Sequence, residues 1–567
     1  MKKSLIAGIL ATIPSALFAQ NAIDAYSVSQ TDLRGSARFM SMGGAFTALG
    51  GDISTLNQNP AGIGIYRSSD ISATLDINMM SSKSTAAGMS NTENWTRVAC
   101  NNFGYVGSIN LGDASAMPFL NWGASYSRVA SFDRRYGGSL GTLGSSYTNL
   151  VADFTSNDGI YPAEMLPTSN FNPYQQNYIS PSGQTYPYAP WSSILMYNSY
   201  GINPVSPGAN EYSGLYNYNG TTGTGRYMVE EKGYIDEYSI NFGGNIQNIV
   251  YWGLGFGITD IDYRSNTYYS EHLENANVPD ADGESYVEGG TADFRLDNYK
   301  RIYGSGFNVK VGVIVKPINE LRFGIAVHTP TYYNLTYQGI ASTNFAFNSS
   351  SYPTGTDIHG SQVTDEGYYD EFDWKLKSPW RLMVGAAGVI GGRAIISADY
   401  EYRGTQSMRV QDFDGNEYKD VTGDIKTYYK ATNIMRIGAE YRITPAFSIR
   451  AGYSYESSPV TQETMDGYTG QGNTQEAIYV HTSGPDDTET QPAFTLDKTT
   501  QYITCGIGYR YKNFYADAAY VHRARKSKYQ AFTNYNEGVS PNYFVSAPSA
   551  EISDNNNSVI LTVGFKF

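Results

Sequence analysis

The chain is 567 residues long, 41% hydrophobic and 16% charged, with a net charge of -14 and 50 tyrosines beside 59 glycines. No run of about 20 apolar residues exists outside the N-terminus, which excludes a helical membrane protein, and the acidic balance argues against nucleic acid, which wants a basic face. An aromatic fraction of 14% excludes disorder, and charge this far below the usual ~25% is foreign to ordinary soluble domains; a β-rich chain is what remains.

Met1–Gln20 carries Lys2 and Lys3 ahead of a short apolar stretch, Leu5–Phe18, and the small Ala19. This pattern reads as a Sec-type export signal over 1–19, cleaved after Ala19, because the apolar part is too short to span a bilayer. No cysteine follows the cleavage site, so a lipid anchor is not expected. With only Cys100 and Cys505, an exported chain this long is not a disulfide scaffold. The expected destination is the outer membrane of a Gram-negative envelope.

Residues 20–68 do not alternate. Gly43-Gly44-Ala45 and Gly50-Gly51-Asp52 lead to Asn57-Gln58-Asn59-Pro60-Ala61-Gly62. Asp52 can cap a short helical turn and Pro60 can end it. Small residues at this density let backbone pack against backbone, so the segment can fold inside a barrel lumen and plug it.

From there to the C-terminus, apolar and polar residues alternate with period two in fourteen segments. Their cores lie near 70–80, 102–112, 121–131, 234–246, 249–262, 301–316, 320–337, 379–390, 393–403, 432–443, 446–456, 500–511, 513–523 and 557–567. Val559, Leu561, Val563, Phe565 and Phe567 form one apolar face; Met435, Ile437, Ala439 and Tyr441 form another. Connections alternate between short ones, such as Gln247-Asn248, Gly391-Gly392 and Thr444-Pro445, and long ones, the largest about 132–233. Tight turns at one end and long loops at the other predict an all-β, 14-stranded antiparallel transmembrane barrel over 69–567, with lipid on the apolar face and lumen on the other. Trp252, Trp380, Tyr441 and Tyr511 stand near strand ends, as interfacial girdles do, although tyrosine favours strands anywhere.

The run GGAFTALGGDISTLNQNPAGIGIY resembles the N-terminal hatch of the outer-membrane long-chain fatty-acid and hydrocarbon transporters of the FadL/TodX type. In that family an Asn-Pro-Ala motif closes the hatch before the first of fourteen strands; Asn59, Pro60 and Ala61, with Gly62, stand at the matching place. The resemblance implies a monomeric, passive, hatch-gated transporter that binds a hydrophobic small molecule in its lumen and releases it through a lateral gap at a kinked third strand. Gly123 is the candidate for that kink. The terminal Phe567 resembles the signal read by the barrel-assembly machinery. The insertion at 132–233 departs from the family pattern and leaves the ligand class open.

Little else in the sequence carries chemistry, and no enzyme, cofactor or metal is expected. Gly137-Gly138-Ser139-Leu140-Gly141 spells a nucleophile elbow without the strand-to-helix context the motif needs. His272, His328, His359, His481 and His522 are scattered, outside metal-ligand spacing, and read as surface or loop residues. Asp280-Ala281-Asp282-Gly283-Glu284 and Asp412-Phe413-Asp414-Gly415-Asn416 resemble the start of calcium loops but lack the later glutamate; Asp-Gly turns account for them. The polar strand face points Lys310, Arg322, Arg381, Arg436, Arg442 and Arg450 inward, among Asp399, Glu401 and Glu440. These residues either recognise a carboxylate ligand or form a salt-bridge network that stiffens the wall. Two rivals to a hydrophobic-molecule transporter are a general diffusion porin and a surface adhesin acting through its external loops.

Overall fold

The computed structural model describes residues 21–112, 115–186, 188–280, 286–353, 357–470, 476–482, 488–536 and 544–567. The export signal and the Ala281–Glu284 part of the first Asp-Gly stretch lie outside these. The barrel strands are β1 (Asp70–Ala86), β2 (Met89–Asn110), β3 (Phe119–Ser131), β4 (Thr222–Ile246), β5 (Val250–Pro279), β6 (Tyr286–Ile318) and β7 (Leu321–His328). They continue with β8 (Arg381–Ile390), β9 (Ala394–Arg403), β10 (Thr432–Arg442), β11 (Phe447–Glu456), β12 (Phe494–Tyr511), β13 (Phe514–Gln530) and β14 (Ser549–Lys566). Each pairs antiparallel with the next, and β14 closes the ring on β1 from Asp70↔Lys566 to Thr85↔Glu551. Closure removes the two sheet edges, which in hydrocarbon would leave backbone N–H and C=O groups unpaired.

Polarity reverses along single strands. In the lower half of β5, Phe256 and Ile258 face outward, exposed, while Gly255, Gly257 and Thr259 face in. Further along the same strand Ile261, Tyr263, Tyr269 and Leu273 face in, and Arg264, Asn266, His272 and Glu274 face out. The first arrangement suits lipid outside and a polar lumen; the second suits water outside and a packed interior. The strands therefore continue past the bilayer.

Much of what the sequence reads as long loop is in fact this continuation. Residues 81–101 are strand, joined by a tight hairpin at Ala87 and Gly88, both with positive φ (47° and 77°). Residues 263–279 belong to β5 and 286–300 to β6. The segment read as one strand over 320–337 breaks at Thr329-Pro330-Thr331, since Pro330 has no N–H to give the ladder. It resumes in the strand Tyr332–Asn348, paired with β6 and with Asp370–Lys377. The insertion after β3 holds a strand, Arg134–Thr142, and the helices α3 (Tyr147–Asn157), α4 (Pro162–Met165) and α5 (Trp191–Asn198). Leu150, Trp191 and Ile194 of these helices pack on Tyr269, Phe294 and Phe345 of the extended strands, forming an external cap with its own core.

Residues 21–66 lie within the ring. They form α1 (Ala22–Ser27), α2 (Ala37–Ser41) and the 3-10 turns Ile53–Asn57 and Pro60–Ile65. Wall groups from around the ring reach them. Asn121 of β3 donates to Ile63 O at 2.7 Å, Ala37 N donates to Thr562 Oγ1 of β14 at 2.7 Å, and Thr504 of β12 donates to Ser41 O at 3.1 Å.

Candidate functional site

Asn59 caps the Pro60–Ile65 turn. Its Oδ1 accepts from Ala61 N at 3.0 Å and its Nδ2 donates to Thr47 O at 2.6 Å, tying two turns of the lumenal segment together. Pro60 stands at the first helical position, where a missing N–H costs nothing. The wall meets this segment with glycine. A Cβ at Gly312 would run into Asn59 Oδ1, one at Gly253 into the Pro60 carbonyl, and one at Gly324 into Thr47 O. On the opposite side, Gly438 and Gly452 face Met42 and Gly43 in the same way. Asp399 completes the dock by accepting from Thr47 N at 2.8 Å.

Above this dock lies a cavity of about 120 Å³. Its lining includes six cationic side chains, Arg34, Arg128, Lys310, Arg381, Arg403 and Arg436, against Asp32, Glu237 and Glu456. Three of the guanidiniums converge on the fully buried Glu401, at 2.6 Å from Arg381 Nε, 2.7 Å from Arg436 Nη2 and 3.5 Å from Arg403 Nη2. Arg403 also pairs with Glu456 at 3.1 Å, and Lys310 pairs with Glu237. Nε and Nη1 of Arg436 and Nε of Arg403 are buried without a partner. Donors left over once Glu401, Glu456 and Glu237 are engaged can bind an oxyanion in a fork geometry. His328 also lines the cavity, buried, with its Nε2 2.9 Å from Gln58 O; it is not the surface histidine the sequence suggests.

The other inward cations lie elsewhere. Arg450 is consumed by Glu440 and Asp517, at 2.7 and 2.6 Å, and Glu440 also pairs with Arg38 of α2 at 2.9 Å. Arg442 and Arg322 line a separate pocket beneath the lumenal segment. Of the five inward arginines named from the sequence, then, the upper cavity unites Arg381 and Arg436 only, with Lys310 beside them. The sequence reading missed Arg403, at the end of β9, because it stands where the strand's alternation stops.

The cavity wall is interrupted at β3. Pairing with β2 stops at Asn102↔Ser127, and Arg128–Ser131 pair with β4 alone, with a register shift between Arg128 and Ala130. Gly123 is not the irregular position; it pairs regularly with Val106 and faces Ile63 and Leu56. The lumenal segment takes the place of β2 at the gap. Asp32 N donates to Val129 O at 2.9 Å, Ser131 N donates to Asp32 Oδ2 at 3.2 Å, and Arg34 reaches across to Asn101 of β2 at 3.0 Å. Ser127, Arg128 and Val129 all line the cavity.

Ahead of the residues that line the cavity, α1 is buried among Ile235, Ile261, Tyr333 and Trp374. Lys300 holds α1 through Asp24 at 2.6 Å and Glu489 at 2.7 Å, and Asn21 donates to the same glutamate. Burial, reinforced by the Asp24 carboxylate, pushes Glu489 up to about 8 against the pull of Lys300.

Among the described residues, the remaining sequence motifs form no site. Ser139 lies within the strand Arg134–Thr142, paired with β4, with no nucleophile elbow. Asp412–Asn416 is a turn in which Asp412 Oδ1 accepts from Asn416 N at 2.8 Å. Cys100 and Cys505 are free and exposed. Trp380, Tyr441 and Tyr511 are exposed on the outer wall, as is Phe567, whose carbonyl accepts from Ser69 N at 3.0 Å.

No family model matches the chain, and no curated protein matches it in sequence. Among solved structures it is similar to a FadL homologue of Pseudomonas aeruginosa, at 12% identity over 95% of this chain and 99% of that one, with a TM-score of 0.47. It is also similar to the toluene transporter TodX of P. putida (14% identity, 94% and 99% covered, TM-score 0.42). A third is the toluene transporter TbuX of Ralstonia pickettii (14% identity, 94% and 99% covered, TM-score 0.41).

Proposed function

We propose that the chain is a passive outer-membrane transporter for hydrophobic small molecules that carry an anionic head, long-chain fatty acids being the type. Residues 20–68 act as its hatch. The observation that carries this reading is the cluster of Arg381, Arg403 and Arg436 with spare donors, facing residues 29–34 and Ser54, Asn57 and Gln58 of the hatch beside an unpaired stretch of wall. The cavity is polar, whereas a pocket for an uncharged hydrocarbon is lined mainly by apolar groups. A pure hydrocarbon would cover guanidinium donors without pairing them, at a cost of several kcal/mol; a carboxylate would pair them. Phe39, Leu33, Ile434 and Tyr333, which also line the cavity, offer contact to the start of an alkyl chain. An exit at the unpaired stretch of β3 would suit a molecule whose tail prefers lipid to the aqueous periplasm.

A general diffusion porin is disfavoured because residues 21–66 occupy the lumen that such a pore keeps open. Uptake into proteoliposomes tests the reading, comparing dodecanoate with dodecane. We expect dodecanoate entry that drops about tenfold or more in an Arg381→Gln/Arg436→Gln double variant, consistent with loss of one or two charge-assisted hydrogen bonds. Equal entry of both molecules, unaltered by the double variant, would sink the carboxylate-recognising cavity.

A further inference from the structure

On the opposite side of the hatch, at the end of the barrel that carries the tight turns, a second pocket of about 330 Å³ opens beneath Leu49, Gly50 and Gly51. Its charged lining is Arg38, Arg67, Arg322, Arg442, Arg510 and Lys566, with Glu440 as the single carboxylate among them. That carboxylate is already shared by Arg38 and Arg450, at 2.9 and 2.7 Å. Lys566 has Asp70 at 3.6 Å. Among the described residues no ion pair is formed by Arg67, Arg322, Arg442 or Arg510. Arg322 donates from Nη1 to Leu49 O at 3.0 Å, and its Nε is buried without a partner. Arg67 donates to Asn248 Oδ1 at 2.9 Å and lies over the Phe119 ring.

Four guanidiniums that form no ion pair, held around one concave pocket with Glu440 as its single carboxylate, repel one another and focus a positive potential there. A wall-stiffening network would interleave the two signs, as Arg450, Glu440 and Asp517 do on the neighbouring strands. The acidic balance of the whole chain makes this local excess of cations more pointed. Guanidinium forks match the paired oxygens of a phosphate or carboxylate group. The pocket lies within the ring, away from the lipid-facing wall, so its occupant arrives from the periplasmic solution or from the hatch above.

We propose that this pocket is a periplasm-facing oxyanion site on the underside of the hatch, taking a phosphate or carboxylate group between Arg322, Arg442 and Arg510. Because Arg322 also holds the Leu49 carbonyl just before the Gly50-Gly51 turn, occupancy and the seating of that turn are physically linked. The site stands whether or not the upper cavity carries a fatty acid.

Calorimetric titration of the full chain in non-ionic detergent, with inorganic phosphate and separately with octanoate, tests it. We expect phosphate to bind with a Kd of about 1 mM or tighter. Affinity should fall about tenfold in Arg442→Gln/Arg510→Gln, fall less in Arg442→Lys/Arg510→Lys, which keeps the charge without the fork, and be untouched by the upper-cavity variant Arg381→Gln/Arg436→Gln, since removing charge-assisted hydrogen bonds costs this much. Octanoate binding that is lost in the lower double glutamine variant marks the site as one the cargo's own head can reach. Phosphate binding alone marks a free periplasmic anion. Absence of binding for both at about 10 mM, or affinities unchanged by the lower double glutamine variant, overturns the proposal. Arg442 and Arg510 are exposed and form no ion pair, so their removal leaves the barrel intact, as heat-modifiable migration on gels will verify.

Discussion

Gly312 and Asn59 show how closely the lumenal segment and the wall are fitted. The wall backbone at Gly312 approaches the Asn59 side chain so nearly that no Cβ fits between them. Gly312→Val must therefore displace the Pro60–Ile65 turn or bend β6, and overpacking of this kind costs about 1–3 kcal/mol. Leakage of small polar solutes from proteoliposomes should rise severalfold in this variant while the barrel stays folded; unchanged leakage would mean the turn does not seal the lumen. A residue-scale effect of a different kind belongs to Glu489. Its folded pKa of about 8 lies above the ordinary carboxylate value, so the folded state holds a proton that the unfolded chain has already released. The stability this contributes is fully present below the ordinary value and is lost as pH rises through about 8. Amide hydrogen exchange over residues 22–28 should accelerate across that window, and Glu489→Gln, which accepts and donates without ionising, should flatten the dependence.

Among the elements, β3 loses its β2 partner beyond Ser127, and the lumenal segment bonds to it there. Asp32 supplies both a donor to Val129 and an acceptor to Ser131, and Arg34 bridges to β2. Asp32→Ala removes the acceptor and frees Ser131 N. It also leaves Arg523, 3.4 Å from Asp32, without that carboxylate. If molecules leave the cavity sideways at this point, dodecanoate entry should quicken severalfold with no rise in polar-solute leakage. A rise in both together would place the effect in the hatch seal instead. The element-scale lesson of β5 is that alternation persists while its meaning inverts: the same inward register carries Gly257 and Thr259 inside the bilayer and Tyr263 and Tyr269 outside it.

For the whole molecule, the external cap raises the question of whether it serves transport or adhesion. Its helices pack on strand extensions that lie beyond the bilayer, not on the strands that face lipid. Deleting residues 143–221, from just after the Arg134–Thr142 strand to the start of β4, should leave the membrane half heat-modifiable and dodecanoate entry retained. Tyr269, Phe294 and Phe345 would lose their cover, so the external half should become protease-sensitive. Loss of cell-surface adhesion with retained entry would assign the cap to adhesion; loss of entry would make it part of the uptake path.

Strand number, strand direction and the lipid-facing side were all legible in the sequence, because a period-two pattern with an apolar outer face is a local property of about ten residues. The turn capped by Asp52 was legible too, since a cap acts on its immediate neighbours; Pro60, read as the end of that turn, instead opens a second one capped by Asn59. Strand length was not, because beyond the bilayer polar residues face water and the pattern looks like loop until its partner strand is known. Nor was the division of the inward arginines into a saturated pair, an upper cluster and a lower pocket. Lys310, Arg381, Arg436, Arg442 and Arg450 look alike along the chain. Which of them keeps a free donor depends on where Glu401, Glu440 and Asp517 fall when the ring closes, and on which level of the lumen the hatch occupies. Alternation is set by neighbours in sequence, whereas charge balance inside a barrel is set by neighbours across it.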